Sequence, residues 1–113
     1  MNDMKLKTIA SLVATLLVSI SASNAFSQTA SSKEALYTRS LAASCANCHG
    51  TDGRTVSGSP VASLAGMDKI YFIAQMNAFK AGTQPATVMH QLSKGFNDAQ
   101  VEALATYFAA LQK

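Results

Sequence analysis

Five consecutive residues constrain this 113-residue chain more than anything else in it: Cys45-Ala46-Asn47-Cys48-His49. Two thiols three positions apart, with an imidazole directly after the second, form the spacing of a c-type haem attachment. The thiols reach the vinyl groups on adjacent pyrroles and form thioethers, and the histidine then stands under the iron as an axial ligand. Three other readings compete. A zinc site needs four ligands, only His90 is left to join Cys45, Cys48 and His49, and adjacent Cys48 and His49 are awkward on one tetrahedral ion. A thioredoxin-like pair needs a βαβ context that is missing. A plain disulfide gives His49 no role. The expected cofactor is one covalent haem c, held through Cys45, Cys48 and His49.

The first stretch reads as an address rather than as fold. Lys5 and Lys7 precede an uncharged apolar run of 12 residues, Ile9–Ile20, and the small residues of SASNAFS follow. That is the layout of a secretory signal, with cleavage after Ala25 or Ser27. The run is short for a membrane span, which needs roughly 20 residues; an uncleaved anchor is the alternative. The expected organisation is a signal peptide over 1–27 and one domain over 28–113, with a periplasmic location and no membrane span after cleavage. A domain of 86 residues buries only about 60–65% of its unfolded surface, so a covalent cofactor is a natural staple.

Charge excludes one class of partner. From residue 28 on, seven Lys and Arg face five Asp and Glu, and they are scattered. No basic run tracks a phosphate backbone, so nucleic acid is not expected.

Periodicity predicts an all-α fold, with no segment alternating long enough for a strand. The first helix begins near Ser31, with Glu34 completing a capping box, and carries Leu36, Tyr37 and Leu41 toward Cys45. The second runs from an Asp68 N-cap to Gly82, with Phe72, Ile73, Met76 and Phe79 on one face. The third is capped by Asn97 and Gln100, with Phe96 and Val101 as a staple, and buries Val101, Leu104, Ala105, Phe108 and Leu111. Two long loops, Gly50–Gly66 and Gly82–Gly95, lie between them, and loops of that length in a compact domain usually hold something.

The second axial position has four candidates in the mature chain. Met76 lies on the apolar stripe and reads as core filler. Met67 starts the second helix. His90 reads as a surface histidine. Met89, in the Gly82–Gly95 loop shortly after Pro85, is the expected sixth ligand, with His90 or an open iron as the alternatives. A thioether with histidine raises the reduction potential and closes the iron to substrates, which favours one-electron transfer over enzymatic oxygen chemistry.

From about Leu36 to Leu111 the chain resembles the class I cytochrome c family. Cys45–Gly53, Ser63-Leu-Ala-Gly66, Phe79-Lys-Ala-Gly82, Pro85-Ala-Thr-Val-Met89, Lys94-Gly-Phe96 and Leu104-Ala-Thr-Tyr-Phe108 resemble the haem-binding subunits of flavocytochrome c sulfide dehydrogenases. The resemblance implies three to five helices wrapped around one haem, the first and last crossing near Leu41 and Tyr107, and His49 and Met89 as axial ligands. It implies redox partner proteins, a flavoprotein sulfide dehydrogenase subunit among them. Either the chain is a free electron carrier or it is such a complex's haem subunit; a haem enzyme or sensor with an open iron is a third possibility. One departure stands out. The family usually has proline shortly before Leu-Ala-Gly, and that proline's carbonyl holds the histidine ring. Here the position is Ala62, with Pro60 two residues earlier, which leaves open the residue that takes the role.

Overall fold

The computed structural model describes residues 31–113, and the expected signal peptide, 1–27, lies outside the described residues. The chain divides between Ala35 and Leu36, and the packing below belongs to Leu36–Lys113. Five helices and two 3₁₀ turns build it, and no strand occurs among the described residues, as the periodicity predicts. In chain order they are α1 (31–43), α2 (Ala46–His49), a 3₁₀ turn at Thr51–Gly53, α3 (Lys69–Ala81), α4 (Met89–Leu92), a 3₁₀ turn at Ser93–Gly95, and α5 (Asp98–Ala110). Ser31 is already helical, so any cap ahead of it falls outside the described residues.

Side-chain chemistry sets the ends of the long helices. Asp68 accepts a 2.8 Å bond from the Tyr71 amide and starts α3, and Gly82 ends it in the left-handed conformation. At α5 the Asn97 side chain accepts from the Gln100 amide while the Gln100 side chain accepts from the Asn97 amide, both at 2.9 Å. This reciprocal box satisfies two amides that the first turn leaves unpaired.

α3 packs on α5. Phe72 and Met76 from one side meet Val101, Leu104, Ala105 and Phe108 from the other, and the Phe72 and Phe108 rings lie 5.8 Å apart. Ile73, Phe96 and Leu111 flank this core, as their spacing predicts. Lys80–Asp98 at 3.3 Å and Lys69–Glu102 also bridge the two helices, but pairs this exposed contribute little. α1 corrects one expectation. Its inward residues are Leu41 and Ala42, whereas Leu36 and Tyr37 are exposed. Tyr37 reaches α5 through its hydroxyl, which accepts a 2.7 Å bond from Gln100 in that helix's first turn.

The Gly50–Gly66 segment is tied to α5. Arg54 donates to the Gln112 carbonyl at 2.9 Å and pairs with Asp52 at 3.7 Å, and the Gly66 amide donates to the Phe108 carbonyl at 2.8 Å. The Gly82–Gly95 segment is more structured than a loop, because α4 and its 3₁₀ turn fill its second half. The closed core among the described residues amounts to nine apolar residues, three of them alanines. That is a small core for 78 residues, and it leaves room for a cofactor to contribute to folding.

Candidate functional site

Cys45, Cys48 and His49 share a single turn. Cys45 is the N-cap of α2, and its carbonyl accepts from the Cys48 amide at 3.3 Å and the His49 amide at 2.9 Å. Gly50 ends the turn at φ 77°, and a Cβ there would run into the Arg54 carbonyl, so only glycine lets the chain fold back at this point. Cys45 is half-buried and Cys48 exposed. Burial pushes the Cys45 thiol above its usual pKa, against a smaller lowering by the Ser44 hydrogen bond. The neutral thiol is thus the favoured form, and a thioether, also neutral, suits the same surroundings.

The His49 ring has a defined orientation. Its Nδ1 lies 2.7 Å from the Ala62 carbonyl oxygen. A carbonyl only accepts, so Nδ1 carries the proton and Nε2 keeps its lone pair for a metal. The residue at the proline position of the resemblance does supply the carbonyl, and Ala62 answers what the sequence left open.

Met89 stands on a different element. It is the first residue of α4, partly buried against the core, and α4 packs on α3. Met76 is sealed in the core, as expected of filler, and Met67 lies partly buried against the same cluster. His90 differs from expectation: it is half-buried rather than exposed, and its Nδ1 is buried with no partner among the described residues. The fully buried Ser93 hydroxyl, which no sequence signal marks, shares that condition. Among the described residues no three His, Cys, Asp or Glu side chains converge on a metal position.

The donor set suits haem c: two thiols on one helical turn, an imidazole with Nε2 free, and a thioether elsewhere in the fold. Exposed apolar side chains flank both parts. Val56, 81% exposed, lines a groove of about 610 Å³ beside Cys48, and Val88, half exposed, caps the helix that Met89 begins. An apolar macrocycle covers such side chains at little cost.

Comparison with known proteins points the same way. The cytochrome c family model matches residues 35–112. The cytochrome subunit of sulfide dehydrogenase from Chlorobaculum tepidum is 38% identical over 65% of this chain and 64% of its own. A thiosulfate dehydrogenase electron acceptor from Thiomonas intermedia is 40% identical over 63% of this chain and 33% of its own. Cytochrome c-552 from Acidithiobacillus ferridurans is 37% identical over 59% and 28%. The chain thus spans less than two thirds of the length of these relatives. Family match and all-α architecture agree: the chain belongs to the cytochrome c family, in its small class I form, and its cofactor is covalent haem c.

Proposed function

We propose that this chain is an exported monohaem electron carrier, with thioethers at Cys45 and Cys48 and with His49 and Met89 as the axial ligands. The observation that carries the reading is the 2.7 Å approach of His49 Nδ1 to the Ala62 carbonyl, which leaves the Nε2 lone pair available to a metal. Haem supplies the one-electron couple; the chain supplies its ligands and its setting. His49, with Nδ1–H bonded to a carbonyl, donates more strongly than a free imidazole. Met89 is a soft neutral donor that favours the reduced metal. It stands on a separate helix from His49, so the two residues would hold the group from different elements of the fold. Were His49 and Met89 both to hold the metal, no position would be left on it for a substrate, so the reading is electron transfer and not enzymatic turnover.

Residues 1–27 act, on this reading, as a signal removed on export, which puts domain 28–113 in the periplasm. The mass of the native protein decides that. Among the described residues no helix is long and apolar enough to cross a membrane. The partners are other redox proteins. A second reading, the haem subunit of a flavin-dependent sulfide dehydrogenase complex, is favoured by the 38% identity to the Chlorobaculum tepidum subunit. Purification from native periplasm separates the two: a carrier elutes as a free monomer, a subunit elutes with a flavoprotein. A potentiometric titration of the isolated protein should fit one electron. Sulfide or thiosulfate turnover by the isolated chain would overturn both readings.

A further inference from the structure

The Ala62 carbonyl that meets His49 lies in a stretch with neither helix nor strand, and nothing in Ala62 itself holds it there. The next three residues do. Ser63 Oγ, the Leu64 amide and the Ala65 amide all donate to one acceptor, the Gly53 carbonyl, at 2.9, 2.7 and 3.1 Å. Gly53 follows His49 by four residues, so bonds and hydrogen bonds close a ring: His49 through the 3₁₀ turn to Gly53, across to Ser63, back one residue to Ala62, and onto His49 Nδ1. The anchor is fixed in turn. The Gly53 amide donates to the Gly50 carbonyl at 2.8 Å, and Gly53 is wedged against Leu64 and Phe108. A carbonyl oxygen has two lone pairs, so three donors saturate it. Two of them are backbone amides; the third, the Ser63 hydroxyl, is a side chain and sits next to the carbonyl that matters.

We propose that Ser63 is a positioning residue for His49: its hydroxyl, bonded to the Gly53 carbonyl, holds the Ala62 carbonyl on Nδ1 and thereby sets the reduction potential of the holoprotein. The inference rests on His49 as an iron ligand. The acceptor on Nδ1 increases the basicity of the ring, and a more basic ligand favours the oxidised metal. Loosening the carbonyl should weaken that donation and raise the potential. The two amides remain in Ser63→Ala, so the segment stays tethered and the effect is smaller than loss of the acceptor itself.

The test uses the haem-loaded protein. In Ser63→Ala the reduction potential should rise, the reduced-to-oxidised ratio at a fixed electrode potential changing about threefold to tenfold, where tenfold is 59 mV for one electron. The His49 Nδ1–H proton should exchange with solvent faster by NMR. Ser63→Thr keeps the hydroxyl and should restore both. An unchanged potential and an unchanged exchange rate overturn the proposal, and so does failure of threonine to restore them. If Ser63→Ala does not load haem, wild-type amide exchange decides. Leu64 and Ala65 amides as protected as those within α5 support the ring, and exchange at the rate of open loop amides refutes it. Failure of the underlying reading is distinguishable: the His49 ring protons of the oxidised wild type would then lack the paramagnetic shift of an iron ligand.

Discussion

Gly53 and Phe108 are packed without room for a methyl group: a Cβ on Gly53 would stand 2.9 Å from Phe108 Cε1 and 2.8 Å from Leu64 Cβ. Gly53 also has φ +73°, a conformation in which a side chain crowds its own backbone. Gly53→Ala therefore meets two penalties at once, together about 2–4 kcal/mol. Gly58 is the control, since φ is +80° there but a Cβ meets nothing within 4 Å. Guanidinium unfolding of both holoproteins should put the Gly53 variant well below the Gly58 variant. Equal midpoints would mean that the Phe108 ring yields.

The second prediction concerns the cap of α5. Asn97→Ala removes the acceptor for the Gln100 amide and should destabilise by about 1 kcal/mol, within the usual range of roughly 0.5–2. The variant should keep its haem spectrum, because α5 supports the site through Phe108 and the core rather than through its first turn. A haem spectrum that changes with the cap would couple Asn97 to the site directly.

How much of this was legible in the sequence divides by the range of the interaction. Asp68, Gly82, Asn97 and Gln100 act within one turn of chain, and each stands where its local pattern puts it. The faces of α3 and α5 follow equally from spacing, because Phe72, Met76, Leu104 and Phe108 have a whole helix to pack against. The first helix carries the same kind of pattern at Leu36 and Tyr37, yet both are exposed. Periodicity says which face is apolar but not where the neighbouring helix ends. The Cys-x-x-Cys-His spacing is local and legible as a haem c attachment pattern, but α2, the four-residue helix that carries it, shows no period. The Ala62 carbonyl, 13 residues from His49, was not, because a backbone acceptor has no side-chain signature. The Gly53 pin escapes for the same reason, and α4 was hidden because a four-residue helix is too short to show a period.

The third prediction tests the cofactor as a structural element. Cys45→Ser together with Cys48→Ser should abolish covalent haem, and the chain should then lose its cooperative fold. The closed core is small, and domains of this size usually need a staple. A haem stain on a denaturing gel reads the first effect, and circular dichroism reads the second. Wild-type protein matured with the attachment machinery that runs without a haem-stained band would sink the covalent reading. A double variant that melts cooperatively at the wild-type temperature would show that the protein core suffices.

The last prediction concerns the sixth ligand. Met76 is sealed in the core, Met67 lies partly buried against it, and Met89 begins a helix of its own. A thioether sulfur is soft and neutral, so as a ligand it stabilises the ferrous state and keeps the iron six-coordinate. Met89→Ala removes that sulfur while leaving Cys45, Cys48 and His49 in place. The protein should still be red and still stain for haem. Its reduction potential should fall, and its iron should gain affinity for cyanide, carbon monoxide or peroxide. Met67→Leu and Met76→Leu are volume-conserving apolar swaps, expected to cost less than about 1.5 kcal/mol and to leave potential and ligand affinity unchanged. The weak charge-transfer band of ferric haem bound to a thioether discriminates among them. It should vanish in Met89→Ala and persist in the other two variants. Survival in Met89→Ala with loss in Met67→Leu would move the role to Met67. Absence of the band from the wild type would leave His90 or an open iron, and the carrier reading would give way to a haem enzyme or a ligand sensor.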